Sequence, residues 1–383
     1  MRLFRSWLCA ILVLAMMFGS VPVTAFAEET AVPEGSFAEE QTPTTAETAE
    51  ETEPETAEET VPEPTGETEP EVTEAPEMQE KGEVEHIPFQ LNPLYEGIYT
   101  ADDFPGSYPD ELYQGELYAA TTYLTVAKAG EAVRKAMKNR QESITVSFKA
   151  DTSSRQEACE AVLAEAMKHT GNGLEGDYLA WQYAGWTGNI ARQYNSNTSM
   201  YEYSGTLRIS YYTTAQQEAE LTTAINKLKT SLKLSSKSNY DKIFAVYDYM
   251  CQNITYDYAN LDDSNYKLKH TAYAALVNKT AVCQGYALLF YRIMLELGID
   301  CRLIPGMTEG GAHGWNIVKL NGLYYNVDST WDAGYDEYIW FLNSFWDFGG
   351  HERDMEYDTI AFHNKYPIAA ESYEKGVTGT KDP

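Results

Sequence analysis

The sequence predicts an α+β fold in which a central buried helix packs on an antiparallel sheet. A small α/β module and a disordered acidic linker precede this part. Residues 284–297 are apolar nearly all round, as in a helix that is buried on every side. Further along, two alternating segments flank Asn321-Gly322, a dipeptide typical of a tight hairpin turn. The linker is indicated by 21 Glu and seven Pro within residues 28–85, a composition that cannot bury a core.

Residues 1–27 are predicted to be a secretory signal peptide. Arg2 and Arg5 precede an apolar run, and Ala25-Phe26-Ala27 supplies the small residues that an export peptidase reads. The alternative is a transmembrane anchor, but the apolar run is short for a span of ~20 residues. We therefore expect a secreted protein, soluble or associated with the cell wall, without membrane insertion after signal cleavage.

Acidic residues outnumber basic ones by 58 to 28, which gives a formal net charge of -30. Nucleic acids and anionic membranes both bind through Lys and Arg, so we expect neither as a partner. Much of the charge lies in residues 28–85, where self-repulsion should keep the chain extended. A solvated tether is the simplest interpretation. A cell-wall spacer, or a wholly structural role for the protein, is the alternative.

Residues 86–234 are predicted to form the α/β module, with an irregular lead-in over 86–125. Periodicity favours helices and strands in alternation: helices over 131–140, 154–169 and 215–232, and strands over 143–149 and 206–213. Trp181 and Trp186 lie in an aromatic cluster that could bind glycans, although such residues also pack well in a core. Ser235–Ser238 indicates a hinge into the next unit.

Residues 235–370 are predicted to form a second unit, followed by a C-terminal tail over 371–383. Its elements are a helix from Asn239, a short helix over 271–277, the buried helix closed by Gly298, and strands over 313–320, 323–328 and 338–342. The segment His351–Asp354 could line a cleft, but a solvated turn is the preferred interpretation.

Three residues of this unit carry the candidate chemistry. Cys283 precedes the buried helix, where unpaired N–H groups and the helix dipole favour a thiolate, the nucleophilic form of cysteine. The two-residue turn pairs Leu320 with Leu323, and the same register sets residue 315 beside Asp328. His313 then lies about one pleat from Asp328 on the same face. A carboxylate there would fix the imidazole tautomer and stabilise the imidazolium.

The segments TAVCQGYALLFYRIMLELGI and AHGWNIVKLNGLYYNVDSTWD resemble the transglutaminase-like superfamily, in its bacterial exported branch. The resemblance covers residues 235–370 and implies a papain-like core, with a nucleophilic Cys heading the central helix and His and Asp on the following strands. The matching positions are Cys283, His313 with Trp315, and Asp328 with Thr330 and Trp331.

The resemblance implies a catalytic triad of Cys283, His313 and Asp328 that acts on peptide or isopeptide amides through a thioester. Animal crosslinking enzymes have Gly-Gln-Cys-Trp at the nucleophile, whereas this chain has Val282-Cys283-Gln284, so hydrolysis and amine transfer both stay open. The expected partner is a protein, peptide or cell-wall peptide substrate.

Trp315 and Trp331 are predicted to flank the cleft and bind substrate, or else to support the triad from behind. No cofactor is expected. A zinc site is disfavoured because no second close-spaced pair of Cys or His ligands is present. The alternative function is a cell-wall or glycan binding protein on the same scaffold, based on the aromatic clusters near 181–186 and 338–348.

After removal of the predicted signal peptide, which contains Cys9, export would permit disulfides among the remaining cysteines other than Cys283, namely Cys159, Cys251 and Cys301. Cys251 and Cys301 flank the catalytic helix and form the best pair. We nevertheless expect buried free thiols, because a core of this size needs no covalent link.

Overall fold

A computed structural model describes residues 83–105 and 122–374 of the protein. The predicted signal peptide and almost all of the predicted acidic linker lie outside these ranges. So does most of the predicted tail. The described residues belong to one compact unit, Ala75–Pro383.

The first part of the fold is a five-stranded sheet in the order β1-β4-β5-β3-β2, antiparallel except for the β2–β3 pair. Its strands are β1 (Val84–Leu91), β2 (Leu124–Thr125), β3 (Ser143–Ala150), β4 (Tyr183–Asn195) and β5 (Met200–Tyr211). The long β4–β5 ribbon supplies the centre of the sheet. Alternation of buried and exposed residues along β3 shows that one of its faces packs on a core.

Two helices cover that face of the sheet. Helix α1 (Val126–Lys138) and helix α2 (Arg155–Ala166) contact each other and bury Val133, Met137 and Val162 against it. The short helix α3 (Asp177–Ala180) and helix α4 (Ala215–Ser231) complete the first part. Both α2 and α4 begin at a side-chain cap, from Ser154 and Thr214 respectively.

The second part is built around α6 (Cys283–Glu296), which is buried along nearly its whole length. A four-stranded antiparallel sheet packs on it in the order β10-β9-β8-β11. The elements here are α5 (Asn239–Asn253), β6 (Thr255–Tyr256), β7 (Thr280–Ala281), α6, β8 (Cys301–Thr308), β9 (Gly311–Leu320), β10 (Leu323–Val327), β11 (Glu352–Arg353) and α7 (Ile360–Lys365). The fold is therefore α+β, with a central buried helix on an antiparallel sheet, as predicted.

The hydrophobic core around α6 also takes in residues from the first part. Leu221, Ile225 and Leu228 of α4 and Trp181 belong to the same buried cluster as the apolar face of α6. The chain between α4 and α5 is a short 3-10 turn, Leu234–Ser236, with Leu234 buried in that cluster. The predicted hinge is thus a tight connection between two helices that share one core.

Three local predictions are wrong. Strand β1 begins at Val84, inside the predicted linker and irregular lead-in, because it pairs with β4 as an edge strand. Residues 338–342 form no strand, and only an isolated bridge joins Asn343 to Asn326. Ser372 and Tyr373, assigned to the tail, instead contact Asp347 and Tyr240. Among the described residues, no helix is long and apolar enough to cross a bilayer.

Candidate active site

Cys283 is the first residue of α6, directly after the N-cap residue Val282. Backbone N–H groups in the first turn of a helix have no partner within that helix, so those of α6 are available to groups near the sulfur. Gly285 allows this close arrangement. A Cβ atom there would lie 2.7 Å from the Cβ of Ala281 and 2.8 Å from the carbonyl oxygen of Thr271. The Cys-Gln-Gly sequence therefore lets the first turn of α6, with Cys283, pack tightly on the chain before it.

The hairpin of β9 and β10 brings the other two predicted residues together. Its observed register pairs Leu320 with Leu323 and extends to Asn316 with Val327, as the turn predicts. Asn321 and Gly322 both have positive φ, the conformation that a two-residue hairpin turn requires. At the open end, His313 Nε2 lies 2.7 Å from Asp328 Oδ2.

The buried Asp328 carboxylate is held on both oxygens. Oδ1 accepts hydrogen bonds from the backbone N–H groups of Thr330 and Trp331, at 2.9 and 3.3 Å. Burial alone would raise the pKa of Asp328, but the charge and hydrogen bond of His313 lower it well below its usual value. The group is therefore a carboxylate that can only accept hydrogen bonds.

His313 lies between that carboxylate and the sulfur. Burial alone would lower the pKa of His313, but the negative charges of Cys283 and Asp328 and their hydrogen bonds raise it to about 10. Since Nε2 faces Asp328, Nδ1 is the ring nitrogen left for the sulfur of Cys283. The three predicted residues thus converge as sulfur, imidazole and carboxylate, and the imidazolium is the favoured form of the ring.

A second chain of polar contacts, from Tyr99 through His270 to Gln284, ends beside the sulfur. Gln284 Oε1 lies 3.5 Å from Cys283 Sγ and 2.9 Å from His270 Nδ1. His270 Nε2 lies 2.7 Å from the hydroxyl of Tyr99. Burial lowers the pKa of His270 to about 4, so the ring is neutral, donating from Nδ1 and accepting at Nε2. No spacing pattern in the sequence marked His270 or Tyr99.

His351 is the main site residue that the sequence analysis missed. It was assigned to a solvated turn, yet its side chain is only 1% exposed and its Nε2 lies 3.1 Å from Asp328 Oδ2. His313, Asp328 and His351 place their ligand atoms within 4.8 Å of one another, close enough to consider a metal. However, each of these atoms already serves a hydrogen bond at ordinary distance, and a metal would require a neutral His313. The group is better described as a proton-linked network.

The site opens into a cleft of about 600 Å³, a size typical of ligand pockets. Its walls include His313, Trp331 and several aromatic or aliphatic side chains: Tyr256, Tyr258, Leu261 and Tyr335. Among the described residues that line it, none is acidic and the imidazole of His313 is the sole basic group. The cleft therefore suits an extended, mostly uncharged chain.

Trp331 lines this cleft, but the prediction that Trp315 flanks it is wrong. Trp315 is 1% exposed and stacks beside His313 at a ring-centroid distance of 6.0 Å. It follows His313 by two positions on β9, so both lie on one face, and Phe348 covers the tryptophan. Trp315 corresponds to the alternative interpretation, hydrophobic support behind the histidine.

The two aromatic clusters proposed to bind glycans differ in exposure. Trp181 and Trp186 are 2% and 4% exposed and belong to the cores, which removes them as a binding surface. In the second cluster, Trp340 packs on Trp331, and Trp346 is exposed.

The other three thiols are buried and free. Burial raises the pKa of Cys159 to about 12, and it also raises the pKa values of Cys251 and Cys301. Their environments contain no imidazole comparable to His313 among the contacts that the structure records. They therefore provide internal controls for the reactivity of Cys283.

Comparison with known proteins agrees with this arrangement of elements. Residues 226–329, from α4 to the residue after Asp328, match the family model of the transglutaminase-like superfamily. The chain contains a transglutaminase-like domain. Members of this superfamily include cysteine peptidases and acyltransferases.

Similar individual proteins match over shorter stretches. The kyphoscoliosis peptidases of Mus musculus and Homo sapiens are 29% and 28% identical over 122 residues. Each match covers 29% of this chain, which spans only 18% of the length of either relative. A crystal structure of a TGase is 19% identical, with a TM-score of 0.29, and covers 51% of this chain and 52% of its own.

Proposed function

We propose that this transglutaminase-like protein is an exported cysteine enzyme that transfers acyl groups from peptide or isopeptide amides, using Cys283, His313 and Asp328 as a catalytic triad. The observation that carries the proposal is the convergence of these three groups, with Asp328 on one nitrogen of His313 and Cys283 left for the other. The convergence lies beside a cleft.

In the proposed reaction, the Cys283 thiolate attacks the amide carbonyl carbon. The C–N bond breaks as His313 gives its Nδ1 proton to the leaving amine, and a thioester remains on the sulfur. His313 then takes a proton from water or from an acceptor amine as that group attacks the thioester. The first acceptor gives hydrolysis and the second gives amide transfer, and either restores the thiolate–imidazolium pair.

The developing oxyanion needs hydrogen-bond donors. The backbone N–H of Cys283 is one, because it lies in the first turn of α6. We assign the second to the hydroxyl of Tyr256, which lines the cleft on the short β6 strand beside β7. Burial and the negative charge of Cys283 raise the pKa of Tyr256, so the hydroxyl keeps the proton that it would donate.

The substrate class follows from the cleft and the sequence together. A peptide or cell-wall peptide is the expected substrate, because the cleft offers aromatic and uncharged walls. Trp331 would contact that substrate directly. Export by the predicted signal peptide would place the enzyme outside the cytoplasmic membrane, with the acidic segment as a spacer.

The first test is selective alkylation of Cys283. Iodoacetamide at mildly acidic pH, followed by peptide mass spectrometry, should modify Cys283 far faster than Cys159, Cys251 or Cys301. His313→Ala should reduce this rate to that of an ordinary thiol, whereas His363→Ala, at a half-buried histidine paired with Asp358, should not. Equal sluggishness of all four thiols would contradict the proposal.

The second test identifies the reaction. Peptide and wall-fragment mixtures are incubated with the full chain, with and without an added amine, and analysed by mass spectrometry. Cleaved products alone indicate hydrolysis, and amine-tagged products indicate transfer. Cys283→Ala should abolish both, and Cys301→Ala should abolish neither. Turnover that survives in Cys283→Ala would overturn the assignment of the nucleophile.

A further inference from the structure

His351 is a second imidazole on the carboxylate of Asp328, and its surroundings differ from those of a solvated turn. The residue directly precedes β11, which pairs with β8, and β8 pairs in turn with β9 at His313. Gly350, with φ of 76°, turns the chain into this position. The sheet thus delivers His351 to the site from a segment outside the matched family region.

The hydrogen-bond partners of His351 define its charge. Nε2 lies 3.1 Å from Asp328 Oδ2, and Nδ1 lies 3.1 Å from the carbonyl oxygen of Gly349. Both oxygens can only accept, so both ring nitrogens must carry a proton for both bonds to form. Only the imidazolium cation has two N–H groups.

The rings around His351 also suit a cation. Four aromatic side chains surround it, at centroid distances of 4.0 Å for Phe348, 4.2 Å for Trp331, 4.9 Å for Trp315 and 5.1 Å for Trp340. Aromatic faces attract a cation, most strongly where water is excluded. The side chain is 1% exposed, so the cage and Asp328 replace its hydration.

The charges of the site then balance. A Cys283 thiolate and the Asp328 carboxylate supply two negative charges, while His313 alone would supply one positive charge. A buried cluster with a net charge is costly unless a partner neutralises it. The His351 cation completes the set on the same oxygen that holds His313.

We propose that His351 is a further positioning residue of this site, a caged imidazolium that holds Asp328 in place and shifts the working pH of the Cys283–His313 pair downward. The pH effect rests on the proposed cysteine chemistry, but the charge of His351 does not. The titratable groups in recorded contact with His351 are Asp328 and His313, and the other recorded ring contacts are uncharged aromatic side chains. On the following strand, β11, Arg353 donates a hydrogen bond to Asn326.

The direction of the shift follows from the sign of the charge. The His351 ring centroid lies 5.6 Å from that of His313. A cation there disfavours the protonated form of His313 and, because it belongs to the same charge cluster, of Cys283. Removing it should move the acid limb of Cys283 alkylation to higher pH by about one unit. A merely structural role would instead slow alkylation at every pH without moving the limb.

The first experiment measures the protonation state of His351 in the unmodified protein by NMR. The chain has six histidines, and long-range ¹H–¹⁵N correlation spectra distinguish an imidazolium, with two similar nitrogen shifts, from a neutral ring. The His351 signals are assigned from ring contacts to Phe348 and Trp340. In the folded protein, His351 should show the two N–H groups that its hydrogen bonds to Asp328 and to the Gly349 carbonyl require. A ring with a single N–H would overturn the proposal, whatever the activity.

The positioning role is read from variants. His351→Gln keeps an N–H donor but loses the charge, and it should shift the iodoacetamide limb of Cys283 upward. The control is His363→Gln, another histidine with a carboxylate partner, Asp358 at 2.8 Å, and it should leave the limb unchanged. If the acid limb of Cys283 alkylation in His351→Gln is unshifted or moves to lower pH, the positioning role of His351 is overturned. A caged cation beside an unreactive Cys283 would contradict the proposed function alone.

Discussion

The two ends of α6 both bury ionised groups, yet they differ in purpose. At the start, Cys283 meets His313 and Asp328 beside the cleft. In the last turns, Arg292 is fully buried and contacts Glu218 and Glu296, each at 3.1 Å. Buried charge alone therefore does not identify a reactive site on this helix.

The difference lies in how completely each cluster is satisfied. The Arg292 guanidinium also bonds the hydroxyls of Tyr178 and Thr222, and Arg140 provides a second cation for Glu218. Burial alone would raise the pKa of Glu218, but the two arginines lower it. Every donor there has a fixed partner. At the other end, His313 lines a cleft, so a substrate in that cleft can reach the imidazole.

The largest expected effect on the Cys283 end of α6 comes from changing Asp328. Asp328→Asn should lower turnover by about 10³-fold, because the amide neither stabilises the imidazolium nor fixes the required tautomer. The matched control is Asp177→Asn, a buried carboxylate paired with Arg302 at 2.7 Å. That change should reduce stability but leave turnover per folded molecule unchanged. Steady-state kinetics with an identified substrate measure both, and equal losses of turnover would show that the two carboxylates do not differ as proposed.

At the other end of α6, a change at Arg292 should affect stability and not the reactivity of Cys283. Arg292→Met should lower the free energy of unfolding by about 3 kcal/mol, because Glu296 loses its buried partner and Glu218 keeps Arg140 as its one cation in recorded contact. Urea unfolding followed by tryptophan fluorescence measures the loss. The alkylation rate of Cys283 in the folded protein should be unaffected. A large decrease in that rate would mean that the ionic cluster also tunes the nucleophile.

Loss of the proposed oxyanion donor, Tyr256, should lower turnover less than the change at Asp328. Tyr256→Phe should lower kcat by about 10²-fold, since one donor to the developing charge is lost. Tyr258→Phe is the control, at a neighbouring tyrosine whose side chain is 78% exposed. It should change KM more than kcat. Unchanged kcat in Tyr256→Phe would assign the second donor elsewhere.

The smallest effect is on the alkaline limb of the pH profile. Because the pKa of His313 is raised to about 10, the imidazolium persists through neutral pH and is lost as the pH rises through that value. kcat/KM for an amide should then fall about tenfold per pH unit above pH 10. Iodoacetamide alkylation needs no proton donor and should not fall with it. Parallel declines would indicate unfolding rather than titration of His313.

Sequence reasoning predicted those parts of the site that depend on local order. The apolar run after Cys283 defines α6, and Asn321-Gly322 sets the register that brings Asp328 to His313. Reasoning of this kind did not find β1, because an edge strand is defined by its partner β4 rather than by its own pattern. It also predicted a strand over 338–342, where instead Trp340 packs on Trp331 and Leu342 is buried in the core around α6.

Short-range properties thus placed Cys283 at the start of α6 and brought His313 and Asp328 together at the open end of a hairpin, because helix periodicity and a two-residue turn can both be read from local sequence. The tertiary structure alone decided which other groups join them: Tyr99, Tyr256, His270 and His351. It also turned Trp315 away from the cleft and into the core. The physical reason is that burial and long-range contact depend on how whole elements pack, and no local spacing records which side chains will meet.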